Sequence, residues 1–383
     1  MRHLFALLAL ALTLPAFGAD AGDINTSGLI RIAIAHNAKK AAMDIRGRTR
    51  IVDMSTGDQK SVAEQISFQV TAAPGKKQGV NVGPYTLGSM VRITPLEGED
   101  RLKINNRSYR GSILIKADKE QTITVIEELG LEEYLYGVLP LEMGNNWPLE
   151  ALKAQAVAAR TYALGNMNRF GEMGFDLWSD QRSQMYGGAS VSAPRVVEAV
   201  KATDSEVLTY KGRLVPAFYH ANCGGRTARP PWGDMEYTRT LSGVSCRYCS
   251  NSGNYRWQTI ISEAKILAFL ENYGFTPGTV KAIRIADRDR SGRATILKFM
   301  GPKNGKSIDI KDFRRAVGSS EFRSSFIIRI VKHKNGFEFV GRGFGHGVGL
   351  CQDGARTMAE KKFNYRQILK YYYPGAQITT IQQ

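Results

Sequence analysis

Apolar and polar residues alternate in short runs along the first third of the chain. LIRIAIA (29–35), QISFQVTA (65–72) and SILIKA (112–117) put apolar side chains at every second position and are parted by turn-forming residues. A period of two collects those side chains on one face of an extended chain, so strands are predicted and residues 22–126 read as a β-rich portion. The period then changes. From Trp147 to Leu164, Leu149, Leu152, Ala156, Ala159 and Ala163 recur at steps of three and four, the spacing of one helix face. Pro148 suits a first turn, where its missing N–H has no partner to lose, and Glu150 favours the positive end of the helix dipole. The extra alanines admit neighbouring backbone closely, so this helix is expected to be buried on most sides. Further helices are predicted over 194–203, 262–272, 352–359 and 365–371, while 280–289, 293–301 and 326–341 alternate again as strands. The expected architecture is α+β, with a β-rich N-terminal portion and a mixed catalytic core over 127–383 closed by C-terminal helices.

The first 21 residues follow neither period. A basic start (Arg2, His3), an apolar run over 4–14 and small residues at Gly18, Ala19 and Ala21 have the pattern of a secretory signal peptide. The apolar run is shorter than the ~20 residues a spanning helix needs, and no later stretch approaches that length. Export to the periplasm or cell wall is expected, without a membrane-spanning segment in the mature chain. Composition fits a folded protein: 383 residues at 43% hydrophobic content can bury one large core or two moderate ones. Against 35 acidic side chains stand 52 Lys and Arg, a net charge of +17. In an exported protein that excess disfavours nucleic acid and favours anionic wall polymers or lipid head groups as the counter-surface. The basic residues are spread along the chain, which leaves a merely solvated basic face as the competing reading.

Two constellations carry candidate chemistry. Glu142 stands among Leu139, Pro140, Leu141, Met143 and Trp147, just ahead of the alanine-rich helix. If those neighbours shield it from water, its pKa rises, and a carboxylic acid that stays protonated near neutral pH can donate to a leaving oxygen. A helix cap, or an ion pair with Lys153, is the alternative role. The second constellation is His220 with Cys223 and Cys246 with Cys249, each pair separated by two residues, which is the spacing of a four-ligand structural zinc site. Disulfides are the alternative in an oxidising compartment, with Cys351 as the fourth cysteine. A glycine at every second position from Gly341 to Gly349, alternating with Arg342, Phe344, His346, Val348 and Leu350, reads as a crowded strand turning into the helix near Gln352, or as a wall of a sugar cleft lined by Arg342 and His346.

Three ordered blocks resemble the SpoIID/LytB family of cell-wall proteins. They are the 131–164 segment with its YLYGVLPLEM run and helix, FYHANCGGRTA at 218–228, and GRGFGHGVGLCQDGARTMAEKKFNYRQILKYYYPGA at 341–376. A fourth stretch, DLWSDQRSQMYGG at 176–188, also resembles the family; its polar groups, Gln184 and Tyr186 among them, could hydrogen-bond sugar hydroxyls, and Asp180 is the one nearby candidate for a second carboxylate. The resemblance implies a peptidoglycan lytic transglycosylase acting on glycan strands stripped of stem peptides, with its catalytic glutamate at Glu142. Ordinary glycoside hydrolysis uses two carboxyl groups. Here a single acid would protonate the glycosidic oxygen and then, as carboxylate, take the proton from the muramic C6 hydroxyl, leaving a 1,6-anhydro end. Two other readings stay open: a non-catalytic enhancer of a cell-wall amidase, and a metal-dependent wall hydrolase with an open zinc at His220. Cys351 and Asp353 depart from the family pattern, and metal binding rests on spacing rather than on the resemblance. The family's sporulation name does not by itself assign a process.

Overall fold

The computed structural model describes residues 28–75, 78–96, 102–230 and 239–381; the expected leader at 1–21 lies outside them. Among the described residues the helices are α1 (Leu131–Glu142), α2 (Leu149–Gly165), α3 (Pro194–Lys201), α4 (Glu263–Glu271), α5 (Ile310–Val317), α6 (Gln352–Glu360) and α7 (Tyr365–Tyr372). The N-terminal alternation produces two sheets. Seven strands lie in the order Leu177–Trp178, Ile30–Ala38, Ile123–Leu129, Ser112–Ala117, Met90–Pro95, Thr49–Asp53 and Gln59–Val62. Six more lie in the order Arg107–Tyr109, Leu102–Ile104, Lys40–Ile45, Ile66–Ala72, Val80–Val82 and Tyr85–Leu87. The pairings are antiparallel except for Leu177–Trp178, which runs parallel to Ile30–Ala38.

The inward faces of both sheets meet α1 and α2 in one core. Ile32, Ile93 and Val125 from the first sheet, Met43 and Val70 from the second, and Leu135, Val138 and Ala156 from the helices belong to the same buried cluster. The boundary expected near Ile126 therefore falls inside a central strand of that shared unit. A second, separate cluster of Trp257, Phe269, Phe299, Phe313, Phe322 and Phe339 organises residues 256–342 into an inserted unit. Two three-stranded sheets, α4 and α5 build it. After the short strand Tyr219–His220 the chain still contributes Cys223, Ala228, Leu241, Cys246 and Cys249 to the main core, and it returns from the inserted unit at Val348 and the strand Leu350–Cys351, which pairs with Tyr219–His220 in parallel.

α2 matches the periodic reading, and its face is buried from Ala151 through Leu164. α1 is a further helix, where the sequence reading puts Glu142 in a stretch leading into α2. Its Pro140 is tolerated because it sits in the last turn, where its missing N–H removes only a terminal bond; the helix closes with Met143 N–H donating to Leu139 O at 2.8 Å. A buried ion pair then fixes α1 against α2. The Arg160 guanidinium, wholly buried, donates from Nε and Nη2 to the two oxygens of Glu132, each at 2.6 Å, and from Nη1 to Glu206 O at 3.0 Å.

Glu127, in the central strand Ile123–Leu129, is also fully buried. Its Oε1 accepts the Arg110 and Gly111 amides at 2.9 and 3.1 Å, and its Oε2 accepts the Tyr186 hydroxyl at 2.6 Å. Burial dominates over those bonds and pushes its pKa up to about 7.

Glu132→Ala would leave Arg160 charged and unpaired, so we expect a loss of roughly 3–5 kcal/mol in urea unfolding, with Glu132→Gln intermediate. For Glu127 the folded pKa lies above the unfolded one, so the folded state holds the extra proton and stability falls as pH rises between about 4.5 and about 7. We expect a decline on the order of 3 kcal/mol from this group, and Glu127→Gln should flatten it in a pH series of unfolding curves.

Candidate functional site

Glu142 is the last residue of α1, so it projects from a rigid helix end rather than from the bend ahead of α2. Its side chain is half-buried, and its Oε1 accepts the Met185 amide at 2.9 Å. Burial raises its pKa; the Met185 amide and the side chains of Gln352 and Tyr219 hydrogen-bond to it and oppose that rise. All three donors are neutral. Lys153, the alternative partner, is engaged by Glu150 at 2.9 Å. A carboxyl group whose pKa is raised by burial and whose donors are neutral is suited to giving up a proton and to being stabilised as the anion afterwards.

Three chain segments converge to build this setting. Met185 belongs to the loop following the strand Leu177–Trp178, Tyr219 to the strand Tyr219–His220, and Gln352 to the first residue of α6. Gly137 makes the loop's approach feasible: a Cβ there would lie 2.4 Å from the Tyr186 ring, and the Gly187 amide donates to Gly137 O at 3.1 Å. The expected sugar contacts of Gln184 and Tyr186 are not offered by these side chains, because both are buried. Gln184 accepts from Tyr134 Oη at 3.2 Å and donates to Tyr219 Oη at 2.9 Å, and Tyr186 donates to Glu127. They shape the floor beneath Glu142. Tyr219 and Gln352 were missed from sequence, since nothing local in the chain marks either as a neighbour of Glu142. Asp180 is held by Arg182 at 2.6 Å on the surface, and that hydrogen-bonded pair keeps its pKa low. The Arg182 guanidinium in turn stacks 3.4 Å from the centre of the Trp178 ring.

The cysteines converge differently from expectation. Cys223, Cys246, Cys249 and Cys351 place their sulfurs within 4.8 Å of one another, all buried, as a possible metal site. His220 is not in that set. Its Nδ1 bonds Val348 O at 3.0 Å, its Nε2 is buried without a partner, and its ring packs 5.5 Å from that of His346. Cys351 takes the fourth position because the parallel pairing of Tyr219–His220 with Leu350–Cys351 carries it there. A tetrahedron with bonds of about 2.3 Å has sulfur–sulfur edges of about 3.8 Å, which this cluster matches in scale. The Cys223 amide donates to the Cys351 sulfur at 3.2 Å, and Tyr372 Oη lies 3.2 Å from the Cys246 sulfur.

The alternating glycines do not form one strand. Gly341 lies within the strand Gly336–Arg342, but Gly343, Gly345, Gly347 and Gly349 all have φ between +75° and +105°, so the chain turns repeatedly through conformations that other residues resist. Arg342 stacks over Phe326 at 5.0 Å and reaches Tyr255 Oη at 3.4 Å. His346 is exposed and lines a groove, its Nδ1 accepts the Val348 amide at 3.0 Å, and partial desolvation, with the positive charges of Arg314 and Arg293 behind it, lowers its pKa.

The family model described as "Stage II sporulation protein" (SpoIID) matches residues 119–210, which hold α1, α2 and Glu142. A domain of unknown function (DUF8618) matches 243–349, which covers the inserted unit. An uncharacterized protein of Brachyspira hyodysenteriae is 36% identical over 298 residues, 78% of each chain. The amidase enhancer of Bacillus subtilis is 27% identical over 377 residues, 86% of this chain but 52% of the relative. Stage II sporulation protein D of the same organism is 27% identical over 274 residues, 66% of this chain and 76% of its own. With the ordered blocks around Glu142, Phe218 and Gly341 now placed in one structure, the chain belongs to the SpoIID/LytB family.

Proposed function

We propose that the protein is a cell-wall lytic transglycosylase that cleaves peptidoglycan glycan strands stripped of stem peptides and leaves 1,6-anhydromuramic ends. The observation that carries this reading is the isolation of Glu142 as one half-buried carboxyl group with raised pKa and neutral donors only. In the first step it gives its proton to the glycosidic oxygen as the C1–O bond breaks. In the second, as carboxylate, it takes the proton of the muramic C6 hydroxyl while that oxygen bonds to C1. The proton returns to Glu142 and no water is consumed, so a second carboxylate is not required. Asp180, the nearest alternative base, is occupied by Arg182. His346, which lines the groove, remains a sugar-facing candidate, whereas Arg342 lies outside that lining against Phe326 and Tyr255. An amidase-enhancer role is the second reading, favoured by the 86% of this chain that aligns with the relative of that name. Among the described residues no helix is long and apolar enough to cross a membrane.

We further assign structural zinc to Cys223, Cys246, Cys249 and Cys351. The electrostatics support the fit. Arg293 is buried beside them, donating from Nη2 to Cys223 O at 2.6 Å and from Nη1 to Arg226 O at 2.9 Å, and neither acceptor is charged. A four-thiolate zinc centre carries net negative charge, which would offset that buried cation. Four protein ligands close the coordination sphere, so the ion cross-links the core and the inserted unit's root rather than activating water. This weighs against a metal-dependent hydrolase.

Protein purified under reducing conditions should hold about one zinc per chain by elemental analysis. Cys351→Ser should lower both metal content and melting temperature, whereas His220→Ala should leave the metal content unchanged. A metal-free protein with all four thiols oxidised would refute the assignment. For the chemistry, Glu142→Gln should retain the fold and lose about 10²–10⁴-fold in rate on amidase-treated sacculi. Mass spectrometry of the wild-type products should find ends lighter by one water than hydrolytic ends. Reducing ends would mean that water is the nucleophile, and stimulation of an amidase by Glu142→Gln at full strength, with no cleavage by the wild type, would establish the enhancer reading instead.

A further inference from the structure

The inserted unit does not lie flush on the main core. Two adjoining cavities of about 500 and about 470 Å³ separate them and share Ile310, Lys311, Ser325 and His346. The walls are strongly basic: Arg226, Arg290, Arg293 and Lys311 line the first, and Lys311, Arg314 and Arg315 the second. The second has no carboxylate in its lining. The first has two, and local backbone occupies both: Asp289 accepts the Ser291 and Arg293 amides at 2.8 and 3.0 Å, and Asp309 caps α5 by accepting the Lys311 amide at 2.7 Å.

The inner guanidinium groups are held by neutral acceptors. Arg314 donates to the carbonyls of Phe322 and Arg323 at 2.9 and 3.1 Å, and Arg293 has a buried Nε without any partner. Arg314 is thus held by carbonyls alone, Arg293 has Asp289 and the sulfur cluster near it, and Arg315 reaches Asp312 at 3.4 Å; with Lys311 the basic groups outnumber the carboxylates, which makes the groove a site of positive potential. The groove also meets the catalytic loop. Gln181 lines the second cavity and accepts from Ser319 at 3.2 Å, and four residues further along the same loop the Met185 amide bonds Glu142.

Glu142 itself lines neither cavity, and this loop is what joins its surroundings to the groove. Removal of a stem peptide from a glycan strand hydrolyses the amide on the lactyl group of muramic acid, so each stripped muramic residue presents a free carboxylate where the intact strand has a neutral amide. We infer that the groove between the inserted unit and the core binds those lactyl carboxylates, and that Lys311, Arg314 and Arg315 thereby distinguish stripped from peptide-bearing strands. The inference rests on the glycan-strand reading of the site, but it concerns binding and is tested apart from cleavage.

The test uses the full-length Glu142→Gln protein, so that strands survive, and measures binding at low salt to three soluble preparations: stripped strands, strands bearing stem peptides, and stripped strands whose carboxylates have been converted to methylamides. We expect preference for the first, lost on amidation and weakened by added salt. Adding Lys311→Gln and Arg315→Gln, both at exposed positions, should weaken binding to stripped strands by about fivefold or more while leaving the melting temperature and the weak binding to amidated strands unchanged. Equal affinity for carboxylate and amidated strands, or undiminished binding by the double variant, would overturn the inference. Tighter binding to a phosphate-rich teichoic acid than to stripped strands would overturn it as well. Charge-dependent binding without anhydro ends from the wild type would sink the transglycosylase reading alone, and anhydro ends with charge-independent binding would sink this one alone.

Discussion

A guanidinium removed from water has to find negative charge, and Arg160 finds it in Glu132. That requirement sets the position of α1, because the alanine-rich α2 carrying Arg160 is packed on nearly every side and cannot move to meet its partner. α1 is the element that adjusts, and Glu142 is its last residue. The placement of the candidate acid therefore follows from a pairing ten residues upstream on the same helix, with the Met185 loop, Tyr219 and α6 arranged around the helix end that results. Gly137 is part of the same solution, since Tyr186 reaches Glu127 only by lying across the helix where a side chain is missing.

A second buried arginine poses the same problem and meets a different answer. Arg293 has backbone carbonyls and a serine hydroxyl about it, and the negative charge near it is shared between Asp289 and the sulfur cluster. The two arginines divide the molecule's electrostatics. One is neutralised within the main core and holds a helix. The other lies where the inserted unit joins that core, and its excess charge faces both the cysteines and the groove. Gly347 marks how closely these parts fit, since a Cβ there would lie 2.4 Å from the Arg293 guanidinium.

Much of the secondary structure was legible, because periodicity is a local property. The strands at 65–72 and 112–117 and the helices beginning at Pro194 and Glu263 fall within a residue or two of their expected ends. α1 was not read from the sequence, although its apolar residues Tyr134, Leu135, Val138 and Leu139 recur at helical spacing. α5 was hidden by its length, although Asp309 is a recognisable cap. At the site, Glu142 could be singled out by the resemblance and its apolar neighbours, but Tyr219 and Gln352 reach it only through pairings between segments more than a hundred residues apart. The cysteine set illustrates the same limit. Spacing groups residues that share a turn, which favoured His220 beside Cys223, whereas strand pairing delivered Cys351 from the far end of the chain. Burial was equally invisible: Gln184 and Tyr186 have the polar groups of sugar ligands and the solvent access of core residues.

The two-residue parallel pairing of Tyr219–His220 with Leu350–Cys351 has a consequence for how the protein comes into being. Everything between those strands, including the whole inserted unit, is enclosed in a loop whose closure awaits the last stretch of chain. α6 and α7 pack on α2, and α6 supplies Gln352 to Glu142, so the acid's surroundings are incomplete until the C-terminal helices have emerged and docked. Chain order thus imposes a sequence of events: the β-rich portion and α1 can assemble early, the inserted unit can form its own aromatic core next, and the carboxyl group acquires its neutral donors last. A chain interrupted before residue 350 would carry the family's most recognisable segment and lack the chemical environment that gives it meaning.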